Sequence, residues 1–368
     1  MRTSGLAAAI VYAGIALSAP AESQVPDGWM DRRQAQEARG PDHTPSPAYR
    51  AGQVHHSVAI DEGVWHDQSR GGRAVAWRLY YPQGAELMPV LIFSHGGGGS
   101  REGGAYLGAW MASFGYASFH IQHSGTDIEH VRGAVRDARR GPERREAARQ
   151  AFQDILAAVN DPTLAEDRFR DISFTAAHLG ALPAQDDAPG WSGALDLARL
   201  GVYGHSFGAI TALVAAGQSV EGFGRELATP GVGAVAVLSP SPPRPGYGSA
   251  ETAFSTMNAP IFHATGSRDG APDGRITPED RLTPFELIDS VDQYLLVLDG
   301  ADHMALGGRS RGGGPVLEGH VDALRQGVLA FFDAELLDDL EARAFLAPDG
   351  PYARSLGFGD RYTVKPAH

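Results

Sequence analysis

The chain has 368 residues, of which 43% are hydrophobic and 20% are charged, an ordinary composition for a globular protein. It contains no cysteine, which excludes disulfides, thiolate metal sites and a cysteine nucleophile. The formal net charge of −13 argues against nucleic acid and anionic membrane surfaces as partners, but it does not bear on neutral small molecules.

The N-terminus has the pattern of an export signal. Arg2 is followed by an apolar stretch at 6–17 that is too short to span a bilayer, and Ala19-Pro20-Ala21 fits a signal-peptidase site. We therefore expect a signal peptide at 1–21, no stable membrane anchor and an exported protein, periplasmic or secreted; an uncleaved anchor is the alternative. Residues 22–52 are rich in Pro, Gly, Gln and charge, which predicts a poorly ordered arm.

Eight short segments with apolar and β-forming residues follow, and helical patterns separate most of the later ones. The predicted strands are 56–60, 74–81, 90–93, 116–121, 200–203, 232–238, 260–264 and 293–298. The first two are predicted to form an antiparallel pair. Strands that alternate with helices form right-handed crossovers, which predicts a mainly parallel eight-stranded sheet with helices on both faces. Ligands are expected beyond the carboxyl ends of its strands.

The segment between the fourth and fifth predicted strands is long. A crossover helix is expected at about 163–182, which leaves about 125–160 as a helical insertion. The insertion is basic and contains Arg132, Arg136, Arg139, Arg140, Arg144, Arg145 and Arg149. One interpretation is a solvated helix face paired with neighbours such as Glu143 and Glu146. The other is a cap over the functional site that favours anionic substrates.

Gly204-His205-Ser206-Phe207-Gly208 fits the pattern G-x-S-x-G. It follows the apolar run 200–203 and precedes 209–216, which is predicted as a buried helix. A strand, a tight turn and a helix in this order form a nucleophile elbow, in which the two glycines let the strand and the helix approach closely. The alternative is a glycine turn whose serine only caps the helix.

A serine hydroxyl at neutral pH needs a base, and in this arrangement the acid and the histidine follow the serine along the chain. The predicted strand 260–264 runs into a glycine loop that ends in Asp269, and the last predicted strand leads into a loop with His303. The predicted triad is therefore Ser206, Asp269 and His303. The alternatives are Asp273 as the acid and His320 as the base.

Other acids and histidines near these positions are given structural roles. Asp299 and Asp302 adjoin His303 in sequence and are predicted to shape its loop. His263 lies inside a predicted strand and is expected in the core, and the side chain of His205 is expected to point away from the serine hydroxyl.

Two backbone N–H groups must point at the oxygen that gains charge in a tetrahedral intermediate. One is predicted at Phe207, the residue after the serine. The other is predicted in the glycine loop after the third strand, at Gly97, with Gly96 or Gly98 as alternatives. A phosphate-binding loop is excluded because no Gly-Lys-Ser/Thr follows these glycines.

The remaining candidates are residues predicted to line a pocket and residues considered for a metal. The possible pocket residues are Gly96, Gly98, His123, His205 and Met304. His123 qualifies because it follows the fourth strand at its carboxyl end, and Met304 because it adjoins the predicted base. No metal site is predicted, since His55 and His56 have no third ligand at a suitable spacing.

Taken together, several segments resemble the serine branch of the predicted dienelactone-hydrolase group of α/β-hydrolases, related to platelet-activating-factor acetylhydrolase and bacterial polyester hydrolases. The resemblance is carried by 90–101, 114–116, 120–127, 170–174, 204–208 and 301–303, within roughly residues 55–335. It implies an α/β-hydrolase fold and an oxyanion hole at Gly97 and Phe207. The chain departs from true dienelactone hydrolases, which use a cysteine nucleophile. Gly97 also stands where relatives often carry a bulkier apolar residue, which predicts a wider pocket.

These features predict a serine carboxylester hydrolase that works through an acyl-enzyme, needs no cofactor and acts on small-molecule or polymeric esters. The hydrolase domain is expected at 53–340, followed by a tail at 341–368 with no assigned role. A peptidase, thioesterase or lactonase on the same fold is one alternative, since one fold and triad can serve many substrates. A binding protein with a catalytically dead hydrolase fold is the other.

Overall fold

The computed structural model describes residues 49–50, 53, 55–139, 141–271, 274–309 and 316–367. The predicted signal peptide and most of the predicted arm lie outside these residues. The end of the arm is nevertheless packed, which corrects the expectation of poor order there: Tyr49 is buried and its hydroxyl donates to Asp333 Oδ2 at 2.8 Å. Arg50 lies 2.9 Å from the same carboxylate.

One sheet runs through the domain. Its strands are β1 (Val58–Asp67), β2 (Arg73–Pro82), β3 (Met88–Ser94), β4 (Ala117–Gln122), β5 (Leu195–His205), β6 (Val232–Leu238), β7 (Ile261–Arg268), β8 (Gln293–Asp302) and β9 (Arg361–Lys365). The strand order is β1-β2-β4-β3-β5-β6-β7-β8-β9. The six strands from β4 to β8 in this order pair in parallel, whereas β1, β2 and β9 pair antiparallel at the two ends. The predicted α/β class with a mainly parallel sheet is confirmed.

Helices lie on both faces of this sheet. Those in the described residues are α1 (Ala105–Ser113), α2 (Ile128–Asp137), α3 (Gly141–Asn160), α4 (Pro162–Ala181), α5 (Phe207–Ala215), α6 (Ala250–Ala253), α7 (Thr283–Leu287), α8 (His303–Leu306), α9 (Glu318–Leu336), α10 (Leu340–Phe345) and α11 (Pro351–Ser355). The helix α4 is the expected crossover helix, and α2 with α3 make up the predicted insertion. Three helices, α2 to α4, therefore lie between β4 and β5, the strand that leads to Ser206.

The ninth strand was not predicted, because it lies in the supposed tail. β9 pairs antiparallel with β8, from Gln293 opposite Lys365 to Val297 opposite Arg361. Its residues are exposed or half-buried, as on a sheet edge, so the segment lacks the apolar run that marks the central strands. The helices α10 and α11 also pack into the core through Phe345 and other side chains. The domain therefore continues beyond residue 340.

Two hydrophobic clusters cover the two faces of the sheet. Leu91 and Tyr203 pack on one side with side chains of α9, whereas Ile92 and Val202 pack on the other side with side chains of α5. Neighbouring residues of one strand enter opposite clusters because successive side chains of a strand point to opposite faces. The central strands are therefore buried on both faces, and the loops that follow them carry the candidate site.

Candidate active site

A single residue forms the turn of the predicted nucleophile elbow. β5 ends at His205 and α5 begins at Phe207, so Ser206 alone makes the turn between them. Its φ of 59° and ψ of −116° are an unfavourable conformation for a non-glycine residue, which costs on the order of 1–3 kcal/mol. The serine side chain makes no capping hydrogen bond to α5, so the interpretation of Ser206 as a helix cap is wrong.

The glycines of the elbow are required by close backbone contacts. A Cβ atom at Gly208 would lie 1.9 Å from the carbonyl oxygen of Ser94, and one at Gly204 would lie 2.2 Å from the carbonyl oxygen of Gly208. Both obstacles are backbone atoms, which cannot rotate out of the way as the end of a flexible side chain can. Only glycine fits at these two positions, because α5 approaches β3 and β5 so closely.

The structure brings the three predicted triad residues together at the carboxyl ends of β5, β7 and β8. Ser206 Oγ lies 2.9 Å from His303 Nε2, and His303 Nδ1 lies 2.8 Å from Asp269 Oδ1. Arg268 and Asp302 pair across β7 and β8, which places the two following residues side by side. With the hydrogen on Nδ1, the imidazole donates to Asp269 and accepts from the serine hydroxyl, as a general base must.

A buried arginine that no sequence pattern indicated adjoins the predicted triad. Arg281 is 3% exposed, and its Nε donates to the main-chain oxygen of Asp269 at 3.1 Å and lies 3.3 Å from Oδ1 of the same residue. It also donates to the carbonyls of Ser239 and Pro240, each at 3.1 Å. Its remaining nitrogen lies 3.2 Å from His303 Nδ1. Arg281 therefore joins the loops after β6, β7 and β8.

The carboxyl group of Asp269 is held in the ionised form. Burial by itself raises its pKa, but the hydrogen bond from His303 and the positive charge of Arg281 outweigh burial and bring the pKa below its usual value. Thr265 Oγ1 donates to the second carboxylate oxygen at 2.8 Å. An ionised carboxylate stabilises the imidazolium that forms when His303 takes a proton.

The competing residues make other contacts. Asp273 lies outside the described residues. His320 Nε2 lies 3.0 Å from the carbonyl oxygen of Asp299, and Asp302 accepts two N–H groups in the first turn of α8. His263 is buried in β7, as expected of a core histidine. Within the described residues, no competitor contacts the serine hydroxyl.

His205 supports the main chain of the predicted base. Its Nε2 lies 2.8 Å from the carbonyl oxygen of His303, and the two rings lie 4.8 Å apart between centroids. Burial lowers the pKa of His205 to about 3, so the ring is neutral and Nε2–H donates to that carbonyl. The ring makes its hydrogen bond to this carbonyl, whereas the serine hydroxyl bonds His303, so we assign His205 a positioning role rather than contact with a substrate.

The glycine loop after β3 lies beside the serine. A Cβ atom at Gly96 would be 3.3 Å from Ser206 Cβ. The N–H of Gly98 donates to the carbonyl of Thr126 at 2.8 Å, so the expectation of Gly98 as an alternative oxyanion donor is wrong. Among the described residues, none accepts a hydrogen bond from the N–H of Gly97 or of Phe207. Both groups therefore remain candidates for binding a developing negative charge, and Gly96 remains the alternative to Gly97.

The insertion helix α3 covers this loop. A Cβ atom at Gly97 would lie 2.9 Å from Ile155 Cγ2 and 3.9 Å from Val159 Cγ2. A Cβ atom at Gly98 would lie 3.9 Å from Ile155 Cδ1 and 4.0 Å from Phe152 Cε2. The prediction that glycine at position 97 widens the pocket is therefore wrong, because Ile155 fills the space that a larger side chain would take.

The arginines of the insertion lie on its outer surface. All those that the structure describes are exposed: Arg132, Arg136, Arg139, Arg144, Arg145 and Arg149. Arg132 pairs with Glu129 at 2.6 Å, and Arg149 pairs with Glu146. The buried side of the insertion is an apolar cluster that includes Ile155. The solvated helix face is confirmed, and the idea of a cationic cap for anionic substrates loses its support.

His123 does not line an accessible pocket. It is completely buried, with Nε2 2.9 Å from Ser94 Oγ and Nδ1 3.0 Å from Asp171 Oδ2. Burial holds the pKa of His123 well below its usual value, so the neutral ring donates from Nδ1 to Asp171 and accepts the Ser94 hydroxyl proton at Nε2. We call Ser94, His123 and Asp171 the buried relay. The predicted pocket role of His123 is wrong, because its side chain lies below the glycine loop.

Asp171 anchors this relay to the start of β2 and to the turn before it. Its side chain is completely buried, and Arg73 donates to both carboxylate oxygens at 2.8 and 2.9 Å. Arg70 lies 2.9 Å from the same group. A buried carboxylate is tolerated only when it is paired and hydrogen-bonded, and these contacts satisfy that condition.

The described residues contain no group of three or more His, Asp or Glu side chains placed to hold a metal ion. None of the helices in that part of the chain combines the length and the apolarity of a membrane span. Met304 lies half-buried in α8 beside His303, and its contact with a substrate stays a prediction.

The sequence matches no model of a known protein family and no curated protein. The case for a function therefore depends on the geometry of this site and on the chemistry of its residues.

Proposed function

We propose that the protein is a serine carboxylester hydrolase with an α/β-hydrolase fold, acting on small-molecule or polymeric esters without a cofactor. The observation that carries the proposal is the hydrogen-bonded series Ser206, His303 and Asp269, with the serine on a strained elbow. The order of the three residues along the chain and their positions at strand ends support the fold. Export, to the periplasm or outside the cell, is part of the proposal and depends on the predicted signal peptide.

The first half of the reaction forms an acyl-enzyme. Ser206 Oγ attacks the ester carbonyl carbon while His303 Nε2 takes the hydroxyl proton, and the carbonyl electron pair moves to oxygen. The N–H groups of Gly97 and Phe207 bind that oxygen, and the partial positive charge at the start of α5 adds to the stabilisation. When the carbonyl re-forms, the alcohol leaves with the proton from His303.

The second half releases the acid. Water attacks the acyl carbon while His303 takes its proton, and the oxyanion is bound in the same place. Collapse of this intermediate breaks the bond to Ser206 Oγ, which recovers its proton from His303. Asp269 keeps the imidazole in one orientation throughout, because the contacts of its carboxylate with Thr265 and Arg281 fix it in turn.

A fluorophosphonate reagent tests this proposal directly. We expect it to label Ser206, to block hydrolysis of p-nitrophenyl acetate and to leave Ser206→Ala unlabelled. Ser255→Ala, at an exposed serine, is the matched control and should behave as the wild type. Undiminished turnover in Ser206→Ala would refute the proposal, and a panel of amides, thioesters and lactones would separate the related activities.

Acyl selectivity is expected to depend on Ile155, because this side chain packs against the glycine loop. Ile155→Ala should raise the kcat/KM ratio of p-nitrophenyl octanoate to acetate by at least about tenfold, the effect of one or more methylene groups in a pocket. The measurement is kcat/KM for esters of increasing acyl length.

The matched control is Ile172→Ala, which removes an equally buried side chain from α4 in a different cluster. Both variants should lose stability by about 2–5 kcal/mol. An unchanged acyl preference in Ile155→Ala, or the same change in both variants, would contradict the assignment of Ile155.

A further inference from the structure

We infer that Arg168 positions both halves of the oxyanion hole, an inference that rests on the proposed function. Arg168 lies on α4 and is 1% exposed. Its guanidinium lies between the glycine loop, which contains Gly97, and the first turn of α5, which contains Phe207. These are the two segments that carry the proposed oxyanion donors, and they are more than 100 residues apart in sequence.

On the loop side, the guanidinium contacts the two residues before the glycines and also Thr126, which binds the glycine loop from the other side. One of its nitrogens donates to Ser94 Oγ at 2.9 Å and to the carbonyl oxygen of His95. Another donates to Thr126 Oγ1 at 3.0 Å. The carbonyl of Thr126 in turn accepts the N–H of Gly98, so one rigid planar group fixes the loop from two directions.

On the elbow side, Arg168 contacts the ring and, indirectly, the backbone of Phe207. The Arg168 Cζ atom lies 4.3 Å from the centroid of the Phe207 ring, within the range of a cation–π interaction. Arg168 Nε donates to Thr211 Oγ1 at 2.8 Å, and that hydroxyl donates to the carbonyl of Phe207 at 3.0 Å. The first turn of α5 and the glycine loop are therefore held by the same side chain.

The histidine beside this arginine extends the arrangement to the proposed donor itself. His95 accepts the N–H of His123 at Nε2, 3.1 Å away, so its Nδ1–H donates to the carbonyl of Gly96 at 2.7 Å. That carbonyl belongs to the same peptide group as the N–H of Gly97. A hydrogen bond to the carbonyl polarises the peptide and makes its N–H a stronger donor.

Burying the charge of Arg168 costs free energy, and within the described residues none of the hydrogen bonds that its guanidinium donates goes to a carboxylate. These bonds go to three hydroxyls and one carbonyl. The largest opposing charge is that of Asp171, which closes the buried relay from Ser94 through His123. Burial lowers the pKa of Arg168 to about 9, so the group stays charged at neutral pH. A buried cation kept at this cost beside the proposed oxyanion hole is explained by its hold on that hole.

The experiment compares Arg168→Lys and Arg168→Met with Arg325→Met, a half-buried arginine on α9 that contacts α1. Each is assayed for kcat, KM and inhibition by a trifluoromethyl ketone, whose adduct with Ser206 carries an oxyanion. We expect Arg168→Met to lose about 10²-fold in kcat, similar to the loss of one oxyanion donor, with KM within about threefold. Its inhibition constant should rise in proportion, and Arg168→Lys should recover part of both.

The inference is overturned if Arg168→Met and Arg325→Met have the same kcat and inhibition constant. If Arg168→Met does not fold, Thr211→Val and Thr126→Val provide the test, since each removes one hydroxyl that Arg168 contacts. Each should lower kcat and raise the inhibition constant together. A variant that loses stability while kcat and the inhibition constant stay unchanged overturns the inference. A wild-type protein that is neither labelled nor active overturns the proposed function as well, whereas an active wild type with unaffected Arg168 variants overturns this inference alone.

Discussion

Asp269→Ala is expected to lower kcat for p-nitrophenyl acetate by about 10⁴-fold, with little change in KM. Without the carboxylate, nothing accepts the Nδ1–H of His303, and the imidazole loses the orientation that places Nε2 2.9 Å from Ser206 Oγ. Arg281 would then face the ring with its charge unbalanced, which disfavours the imidazolium of the transition state. The measurement is kcat per folded molecule, with folding followed by circular dichroism.

Asp273→Ala is the matched control, because it changes the alternative acid that the sequence offers. We expect it to keep the activity of the wild type. If Asp273→Ala lost activity and Asp269→Ala kept it, the acid of the triad would have to be reassigned to residue 273.

Gly208→Ala is expected to prevent folding or to destabilise the protein by more than about 4 kcal/mol, the range of the most disruptive single substitutions. The added Cβ would lie 1.9 Å from the carbonyl oxygen of Ser94 and 3.0 Å from that of His95. Relief would require α5 to move away from β3, which would separate the two segments of the proposed oxyanion hole. Soluble yield and urea unfolding measure the effect.

Gly319→Ala provides the comparison for this substitution. A Cβ at Gly319, in the first turn of α9, meets no atom within 4 Å, so alanine there should be neutral or stabilise by about 0.5–1 kcal/mol. Equal stability of the Gly208→Ala and Gly319→Ala proteins would show that the backbone contact at the elbow is not tight.

The parts of the site that could be predicted from the sequence are those set by local pattern. The run before Ser206, the two glycines and the apolar helix after them identify a strand, a turn and a helix without any tertiary information. Asp269 and His303 were found because the order of strands placed them after β7 and β8. The distances among the three follow from the sheet register, which the sequence does not give.

The burial of Arg168 and Arg281 was harder to predict from the sequence. Arginine is normally exposed, and Arg281 directly follows Glu279 and Asp280, as in a solvated turn. Arg168 did leave a signal, because it lies three residues after Ala165 and four before Ile172, on the buried side of α4. A charged residue within an apolar stripe indicates a buried polar network, and here that network lies under the glycine loop.

The role of the insertion and the ninth strand depended on contacts between distant segments. Ile155 belongs to the apolar face of α3, but the sequence does not say that this face meets Gly97. β9 is a short edge strand whose partner, β8, precedes it by more than 50 residues. Neither contact has a local signature, so both required the structure.

The buried relay and the proposed triad contain the same three residue types with nearly the same spacing between their polar atoms. Ser94 is sealed from solvent, and its oxygen already accepts a hydrogen bond from Arg168. Ser206 is half-exposed on an unfavourable backbone turn. The hydrogen-bonded series of serine, histidine and aspartate therefore occurs twice in this one molecule. Access to solvent, and an oxygen that does not already accept a hydrogen bond from an arginine, separate a serine that can react from one that supports the structure.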